Sequence, residues 1–282
     1  MDVDRAVSEI QSKYKVVGRT DELRRAVIAR LSNSHLLLEG PVGVGKTTLA
    51  MALAQYFQQP ILRVDGDERY SEAKLVGYFD PPLVLSKGYV EESFMPGPLT
   101  SALRQGGILF LNELNRFPEG TQNVLLPALD EGLIEIPRLA TVKAKPSFFV
   151  VATQNPAEYI GVTGLSEAIR DRFVWIRLDH QPENQEVQIV KQWVPKAPSQ
   201  ACLITVRITR ATRSHRDLRR GSSIRGAIDM ARMISQYSKH TPQLWKEVAI
   251  MALATKVERE DGIDIPLEAI IESIVKEILR GF

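Results

Sequence analysis

The sequence lacks the features that mark secreted and membrane-spanning proteins. Its one cysteine, Cys202, excludes an internal disulfide and fits a reducing compartment, where we expect a small buried apolar residue. No apolar run approaches the ~18 residues that a membrane span needs, and the charged N-terminal residues are followed by no apolar stretch. The sequence therefore predicts a cytoplasmic protein without a membrane span.

An excess of charge of one sign is also absent. The 282 residues include 36 basic and 34 acidic ones, a formal net charge of +2, which argues against a general polyanion binder. The histidines at positions 35, 180, 215 and 240 do not have metal-ligand spacing, so no zinc site is expected. A basic run could bind nucleic acid, but its spacing also fits a solvated helix face near acidic residues, which we favour. This run consists of Arg207, Arg210, Arg213, Arg216, Arg219 and Arg220, together with His215.

One stretch fits the pattern of a phosphate-binding loop, in which Gly and four further residues precede Gly-Lys-Thr. It follows a short apolar run and leads into a helix-favouring segment, so the order is strand, loop, helix, and a chance glycine-rich turn becomes the weaker alternative. Amide N–H groups of the loop and the positive end of the helix dipole would surround the phosphates of a nucleotide triphosphate. The predicted nucleotide-binding residues are Gly40, Pro41, Val42, Gly43, Val44, Gly45, Lys46, Thr47 and Thr48.

Two side chains of this loop have specific expected tasks. Lys46 would bind the β and γ phosphates, and the hydroxyl of Thr47 would bind a magnesium ion that the phosphates also hold. The sequence therefore predicts ATP and Mg²⁺ as cofactors.

Alternating apolar strands and helical patterns predict an α/β fold with a parallel five-stranded sheet flanked by helices over residues 1–180. An inserted hairpin of short strands is expected at about residues 81–98, and a small hairpin at 133–142. From residue 181 to 282 no convincing strand is visible, and five helical patterns predict an all-helical second domain. The sheet strands are expected near residues 36–38, 61–64, 107–111, 148–152 and 173–176.

Polar residues follow two of these buried strands. In a parallel sheet the ligand lies beyond the carboxyl ends of the strands, so Asn112, Glu113 and Asn155 could face the same γ-phosphate as the loop. Glu113 could orient or deprotonate the attacking water, and the Asn155 amide could hold that water in line. The alternatives are a solvated loop carboxylate for Glu113 and an ordinary Asn-Pro turn for Asn155.

Five motifs follow one another along the chain, at residues 40–47, 109–116, 152–156, 165–173 and 221–225. In their order and spacing they resemble the motifs of the MoxR group of AAA+ ATPases, and the resemblance covers nearly the whole chain. The resemblance implies an α/β nucleotide domain, a helical lid, and a homo-oligomeric ring, usually a hexamer, with ATP at the subunit interfaces. It also implies an insert hairpin, which suits residues 81–98.

The same resemblance gives roles to individual residues. Asn155 would be sensor 1, and Arg225 would be sensor 2, reaching the γ-phosphate within its own subunit. Arg172, with Arg170 as the alternative, would be the arginine finger presented to the neighbouring subunit. For Arg116, a link between sites and an ordinary ion pair both remain open.

The chain departs from the family at Asn112, where an aspartate usually helps to hold the magnesium. An amide oxygen still accepts a hydrogen bond from a magnesium-bound water but carries no negative charge. The departure puts metal affinity and turnover in question more than ATP binding.

Three functions are compatible with these residues. The leading one is a chaperone-like ring ATPase that remodels or matures a partner protein, by resemblance often one with a von Willebrand factor A domain. A nucleic-acid motor or loader would require a basic insert, whereas residues 81–98 contain Lys87 against Glu91 and Glu92. A slow or non-hydrolysing ATP-dependent scaffold is suggested by Asn112 and opposed by Glu113, Asn155 and Arg225. The client and the ring size are not specified by the sequence.

Overall fold

The computed structural model describes residues 2–155 and 164–282. Within these residues the chain forms two compact units. The first comprises the residues up to Pro41 and those from Gly45 to Asp179, and the second comprises Val42–Val44 and His180–Phe282. Pro156, the last residue of the motif at 152–156, lies outside the described residues.

The first unit alternates strands and helices. Its strands are β1 (Leu36–Glu39), β2 (Ile61–Asp65), β3 (Gly77–Phe79), β4 (Phe94–Pro96), β5 (Ile108–Asn112), β6 (Leu133–Glu135), β7 (Thr141–Lys143), β8 (Phe149–Gln154) and β9 (Val174–Arg177). Its helices are α1 (Val3–Lys13), α2 (Thr20–Leu31), α3 (Lys46–Tyr56), α4 (Glu72–Val76), α5 (Pro81–Lys87), α6 (Pro98–Gln105), α7 (Glu119–Asn123), α8 (Leu126–Asp130) and α9 (Glu167–Arg170).

Among the described residues, five parallel strands form one sheet in the order β2-β5-β8-β1-β9, which confirms the predicted architecture. The central strands β1, β5 and β8 are buried over almost their whole length, whereas the edge strand β2 is partly buried and the edge strand β9 is largely exposed. A parallel strand covered on both faces needs a continuous apolar run. This requirement explains why β5 and β8 were visible in the sequence.

The predicted insert hairpin was wrong in detail. The short strands around Leu83 are instead α5, and the hairpin consists of β3 and β4 on either side of that helix. The side chain of Asp80 accepts a hydrogen bond from the Leu83 N–H, two prolines occupy the first helical positions, and Gly88 ends the helix. These are helix start and stop signals, and they outweigh the β-propensity of three consecutive aliphatic residues.

The segment after Pro118 forms two short helices, α7 and α8. The small hairpin predicted after it is present as the antiparallel pair β6 and β7. Together these elements return the chain from β5 to β8, the central strand of the sheet.

The second unit is mainly helical, as predicted, but it also contains one short antiparallel pair of strands that was not predicted. No helix among the described residues is both long and apolar enough to span a membrane. The helices are α10 (Glu183–Trp193), α11 (Ser199–Ser214), α12 (Ile224–Ile234), α13 (Pro242–Leu253) and α14 (Leu267–Leu279), and the strands are β10 (Leu218–Arg220) and β11 (Glu258–Arg259).

The basic run of this unit is paired with acidic side chains of the same unit. Arg210 and Arg213 contact the buried carboxylate of Glu186 at 3.1 and 2.7 Å, and Arg207 contacts Glu183 at 3.3 Å. Arg219 and Arg220 lie 3.4 and 3.6 Å from Glu258. The predicted acidic neighbours are therefore present. The predicted single solvated helix face is not, because Arg219 and Arg220 lie on a strand and the Arg213 side chain is only 14% exposed.

His35 is buried immediately before β1, and it makes the stability of the first unit depend on pH. Its Nδ1 accepts a hydrogen bond from the Val150 N–H at 3.1 Å, and the rings of Phe148 and Phe149 lie within 6 Å. Burial lowers the pKa of His35 from 6.5 to about 4, so the folded protein holds a neutral imidazole. The unfolded chain is protonated first as the pH falls.

We therefore expect this contribution to stability to be complete above pH 6.5 and to be lost as the pH falls from 6.5 towards 4. The loss is about 3 kcal/mol at about 1.4 kcal/mol per pKa unit. Urea unfolding at a series of pH values would measure it, with His35→Asn as the control because an amide oxygen still accepts from Val150 but does not titrate. Equal pH slopes for both proteins would contradict the assignment.

Candidate nucleotide-binding site

The predicted phosphate-binding loop lies between β1 and α3. Gly43 and Gly45 have φ angles of 80° and 99°, which only glycine adopts without strain. Gly45 is the N-cap of α3, and no side chain caps this helix. A glycine N-cap supplies no capping side chain of its own, so it leaves room for phosphate oxygens at the N-terminus of the helix.

The side chain of Lys46 is folded back onto the loop. Its Nζ donates hydrogen bonds to the carbonyl oxygens of Gly40 and Pro41, at 2.5 and 2.9 Å. The ammonium group is thus held at the mouth of the loop, where phosphate oxygens would replace neutral acceptors with charged ones.

The register of the parallel strands brings Asn112, Glu113 and Asn155 to the carboxyl end of the sheet, where the loop begins. Glu39 at the end of β1 pairs with Gln154 at the end of β8, and the Gly40 N–H donates to the Gln154 carbonyl at 3.3 Å. The next residue, Asn155, is buried beside the start of the loop. One strand further, Leu111 pairs with Ala152, so Asn112 and Glu113 leave the sheet at the same level.

Asn112 connects three strand ends through its side chain. Its Nδ2 donates to Asp65 Oδ1 at 2.8 Å, and its Oδ1 accepts from Thr153 Oγ1 at 3.0 Å. Arg63 contacts Asp65 at 2.6 Å and, with a smaller effect from Asn112, lowers the pKa of that carboxyl. The neutral amide therefore lies beside a carboxylate that the sequence analysis did not single out.

Glu113 adopts an unusual backbone conformation for a residue with a side chain. Its φ is 59°, in the left-handed region that costs free energy and recurs at functional sites. The Glu113 N–H donates to Thr153 Oγ1 at 2.9 Å, and its carboxylate accepts from Arg116 Nη1 at 2.9 Å. Arg116 thus forms an ion pair with the predicted base within the same chain.

Gly66 is a second residue that the sequence analysis did not single out. Its N–H donates to the Asn112 carbonyl at 2.7 Å, and a Cβ built at this position would lie 2.1 Å from the Glu113 carbonyl oxygen. Any side chain at position 66 would displace the backbone of Glu113. A glycine directly after an edge strand is the sequence signal for such a close approach.

The position of Asn112 gives a testable expectation for magnesium. Asn112→Asp should lower the magnesium concentration needed for half-maximal ATP binding severalfold, because a charged oxygen would replace a neutral one near the divalent cation. The same change removes the N–H donor to Asp65 and brings two carboxylates together, which opposes the gain.

The double variant Asp65→Asn with Asn112→Asp restores an N–H donor opposite the new carboxylate. We expect its magnesium requirement to be the lowest of the three proteins, with little change in ATP affinity at saturating magnesium. Titration of magnesium against binding of a fluorescent ATP analogue measures this order. An unchanged or higher requirement in both variants would show that Asn112 does not face the metal.

Arg172 and Arg170 lie near the amino ends of the sheet strands, at the opposite end from the loop. Arg172 precedes β9 by two residues, and Val174 pairs with Leu36 at the beginning of β1. The four residues of β1 span roughly 13 Å, and the phosphate-binding loop begins only after them. Arg170 is the exposed last residue of α9, and Arg172 forms an ion pair with Asp130 at 2.9 Å.

Arg225 belongs to the second unit, where it is the exposed second residue of α12. Its N–H donates to the N-cap hydroxyl of Ser223 at 3.4 Å. The turn before it is fixed by Arg213, whose Nε donates to the Ser222 carbonyl at 2.8 Å and whose Nη1 contacts Glu186. These contacts fix the start of the helix that carries Arg225.

The residues of the loop and of the neighbouring strand ends suit ATP with magnesium. The glycine conformations, the uncapped α3 and the Lys46 ammonium fit a polyphosphate chain, and the hydroxyl of Thr47 lies in the first turn of α3. No cluster of three His, Cys, Asp or Glu side chains suited to a metal occurs in the described parts of the chain. The groups expected to hold a magnesium ion are the phosphates, the Thr47 hydroxyl and, through a bound water, the Asn112 amide.

Comparisons with known proteins agree with this geometry. Residues 35–173 match the AAA domain (dynein-related subfamily). The gas vesicle ATPase GvpN of Haloferax mediterranei is 30% identical over 245 residues, which cover 81% of this chain and 70% of that protein. The denitrification regulatory protein NirQ of Stutzerimonas stutzeri is 32% identical over 225 residues, covering 78% of each chain.

Solved structures show the same fold. The RuvB Holliday junction branch migration motor of Thermotoga maritima has a TM-score of 0.54 at 17% identity, covering 83% of this chain and 70% of that one. At this identity the similarity concerns the fold alone.

Proposed function

Because this chain belongs to the MoxR-type AAA+ ATPases, we propose that it hydrolyses ATP at sites shared between neighbouring subunits of a ring and thereby remodels partner proteins. Lys46 and the loop would bind the phosphates, and Thr47 would hold magnesium. Glu113 would activate the water that Asn155 positions, and Arg225 would contact the γ-phosphate from the second unit of the same chain. A hexamer is the proposed size of the ring.

One observation supports the proposal that each ATP site is shared between two subunits. Arg172 precedes β9, at the amino end of the sheet, whereas the loop, Asn155 and Glu113 lie at the carboxyl end. A guanidinium there would be far from the phosphates of its own subunit, but it could reach those bound by a second copy. An arginine supplied in trans neutralises charge that develops on the transferred phosphoryl group.

The proposed partner is a protein. The relatives are named for gas vesicles and for regulation of denitrification, which are different processes, and we propose that a client such as a von Willebrand factor A domain protein supplies the specificity. Arginines of the basic run are paired with acidic side chains of the second unit, which does not favour a nucleic-acid motor. The proposed location is the cytoplasm.

We expect ATPase activity per subunit to rise with protein concentration, because each complete site would need two chains. Steady-state activity should be measured across a dilution series, with the assembled mass followed by analytical ultracentrifugation on the same samples. Lys46→Ala is the control for contaminating ATPases. Activity per subunit that stays constant while the mass changes would contradict a shared site, and absence of hydrolysis at every concentration would favour the scaffold function.

A further inference from the structure

The side chain of Arg172 is held in one orientation by the carboxylate of Asp130. Its Nε lies 2.9 and 3.1 Å from the two carboxylate oxygens of Asp130, and its Nη2 lies 2.9 Å from Asp130 Oδ2. Its Nη1 donates to the Ala168 carbonyl at 2.8 Å. The Asp130 carboxylate also raises the pKa of Arg172.

These contacts use one N–H group on each nitrogen of the guanidinium. A guanidinium has five N–H donors, so one N–H remains on each of the two terminal nitrogens. The side chain is still 29% exposed. Two donors on neighbouring terminal nitrogens can bind two oxygens of one phosphate group, provided that the fork does not rotate.

We expect the main effect of this arrangement to be on orientation and not on folding stability. The Asp130 side chain is 42% exposed, and ion pairs as exposed as this one contribute little to folding. Orientation is the property that a two-oxygen contact supplies, because an arginine side chain has large rotamer freedom when it is unpaired. The two residues are 42 positions apart in sequence, so the pair joins the end of α8 to the segment before β9.

We propose that Asp130 is a positioning residue that orients the arginine finger Arg172 towards the nucleotide of the neighbouring subunit. The proposal rests on the role proposed above for Arg172. Asp130 does not itself touch the nucleotide in this account. Its carboxylate sets the angle at which the two remaining N–H groups of Arg172 are presented.

Asp171 provides a matched control within the chain. Its carboxylate lies 4.0 Å from Arg172 Nη1 and is 83% exposed, so it contributes a similar charge near the guanidinium without the two-oxygen contact. Replacing Asp171 tests the effect of charge, whereas replacing Asp130 tests the effect of orientation as well.

We expect Asp130→Ala to lower kcat at least tenfold, with a KM for ATP within about twofold of wild type, because the contact acts in the transition state. Asp130→Glu should recover part of the loss, and Asp171→Asn should resemble wild type. Thermal unfolding should be nearly unchanged in all three variants. In an Arg172→Ala background, adding Asp130→Ala should cause no further loss, since the carboxylate acts only through the arginine.

A second measurement separates positioning in trans from a defect within the subunit. Asp130→Ala subunits keep their own Glu113, so mixing them with Glu113→Gln subunits should raise activity above that of either variant alone. Four outcomes would each overturn the proposal: wild-type activity in Asp130→Ala, an equal loss of kcat in Asp171→Asn, an additive loss of kcat in the double variant, or no recovery of ATPase activity on mixing. If Arg172→Ala retains full activity, both the arginine-finger role of Arg172 and the positioning role of Asp130 are wrong. If Arg172→Ala is inactive while Asp130→Ala is active, only the positioning role of Asp130 is wrong.

Discussion

Lys46→Ala is expected to abolish ATP binding, whereas Glu113→Gln should leave binding intact and stop hydrolysis. The first change removes the ammonium group that lies against the Gly40 and Pro41 carbonyls at the mouth of the loop. Without it, the loop would offer the β and γ phosphates amide dipoles but no positively charged side chain. The second change replaces a proton acceptor with an amide of nearly the same shape, so the nucleotide is still bound but the water is not activated.

We expect ATP affinity to fall at least a hundredfold in Lys46→Ala, and kcat to fall by about 10²–10⁴ in Glu113→Gln, the range for general acid–base groups. Equilibrium titration with a fluorescent ATP analogue and single-turnover hydrolysis separate the two effects. Lys143→Ala and Glu119→Gln are matched controls, because each makes the same chemical change at an exposed residue. Equal ATP affinity in wild type and Lys46→Ala would contradict the assignment of the loop.

Arg172→Ala is expected to reduce turnover by roughly 10³–10⁵, the range for an arginine that neutralises transition-state charge. ATP binding should be largely retained, because the loop that binds the phosphates is unchanged. Arg216→Ala is the control, since Arg216 is 91% exposed in the second unit. A loss confined to KM, with kcat unchanged, would show that Arg172 binds the ground state or supports the interface and does not act in the transition state.

The central features of the fold were predictable because they depend on local patterns. Continuous apolar runs identified β5 and β8, and the Gly-Lys-Thr spacing between a strand and a helix identified the loop. The insert was mispredicted because Leu83, Val84 and Leu85 fit a strand as well as a helix. The capping residue Asp80 and the prolines at 81 and 82 favour a helix at this position.

The supporting residues of the site could not be predicted in the same way. Asp65 contacts Asn112 across 47 positions, and Thr153 bridges Asn112 and the Glu113 N–H across about 40. These contacts depend on which strands are neighbours and on their register, and apolar periodicity specifies neither. Once the order β2-β5-β8 is known, the residues after each strand fall beside one another.

The measurement that tests the shared site most directly is the mixing of two inactive variants, Glu113→Gln and Arg172→Ala. A mixed assembly contains some interfaces in which the intact Glu113 of one subunit meets the intact Arg172 of the next. We predict that ATPase activity, absent from each variant alone, appears on mixing, rises with the fraction of mixed interfaces and is greatest near equal amounts. A mixture that stays inactive, although both variants bind ATP and assemble together, would contradict the account.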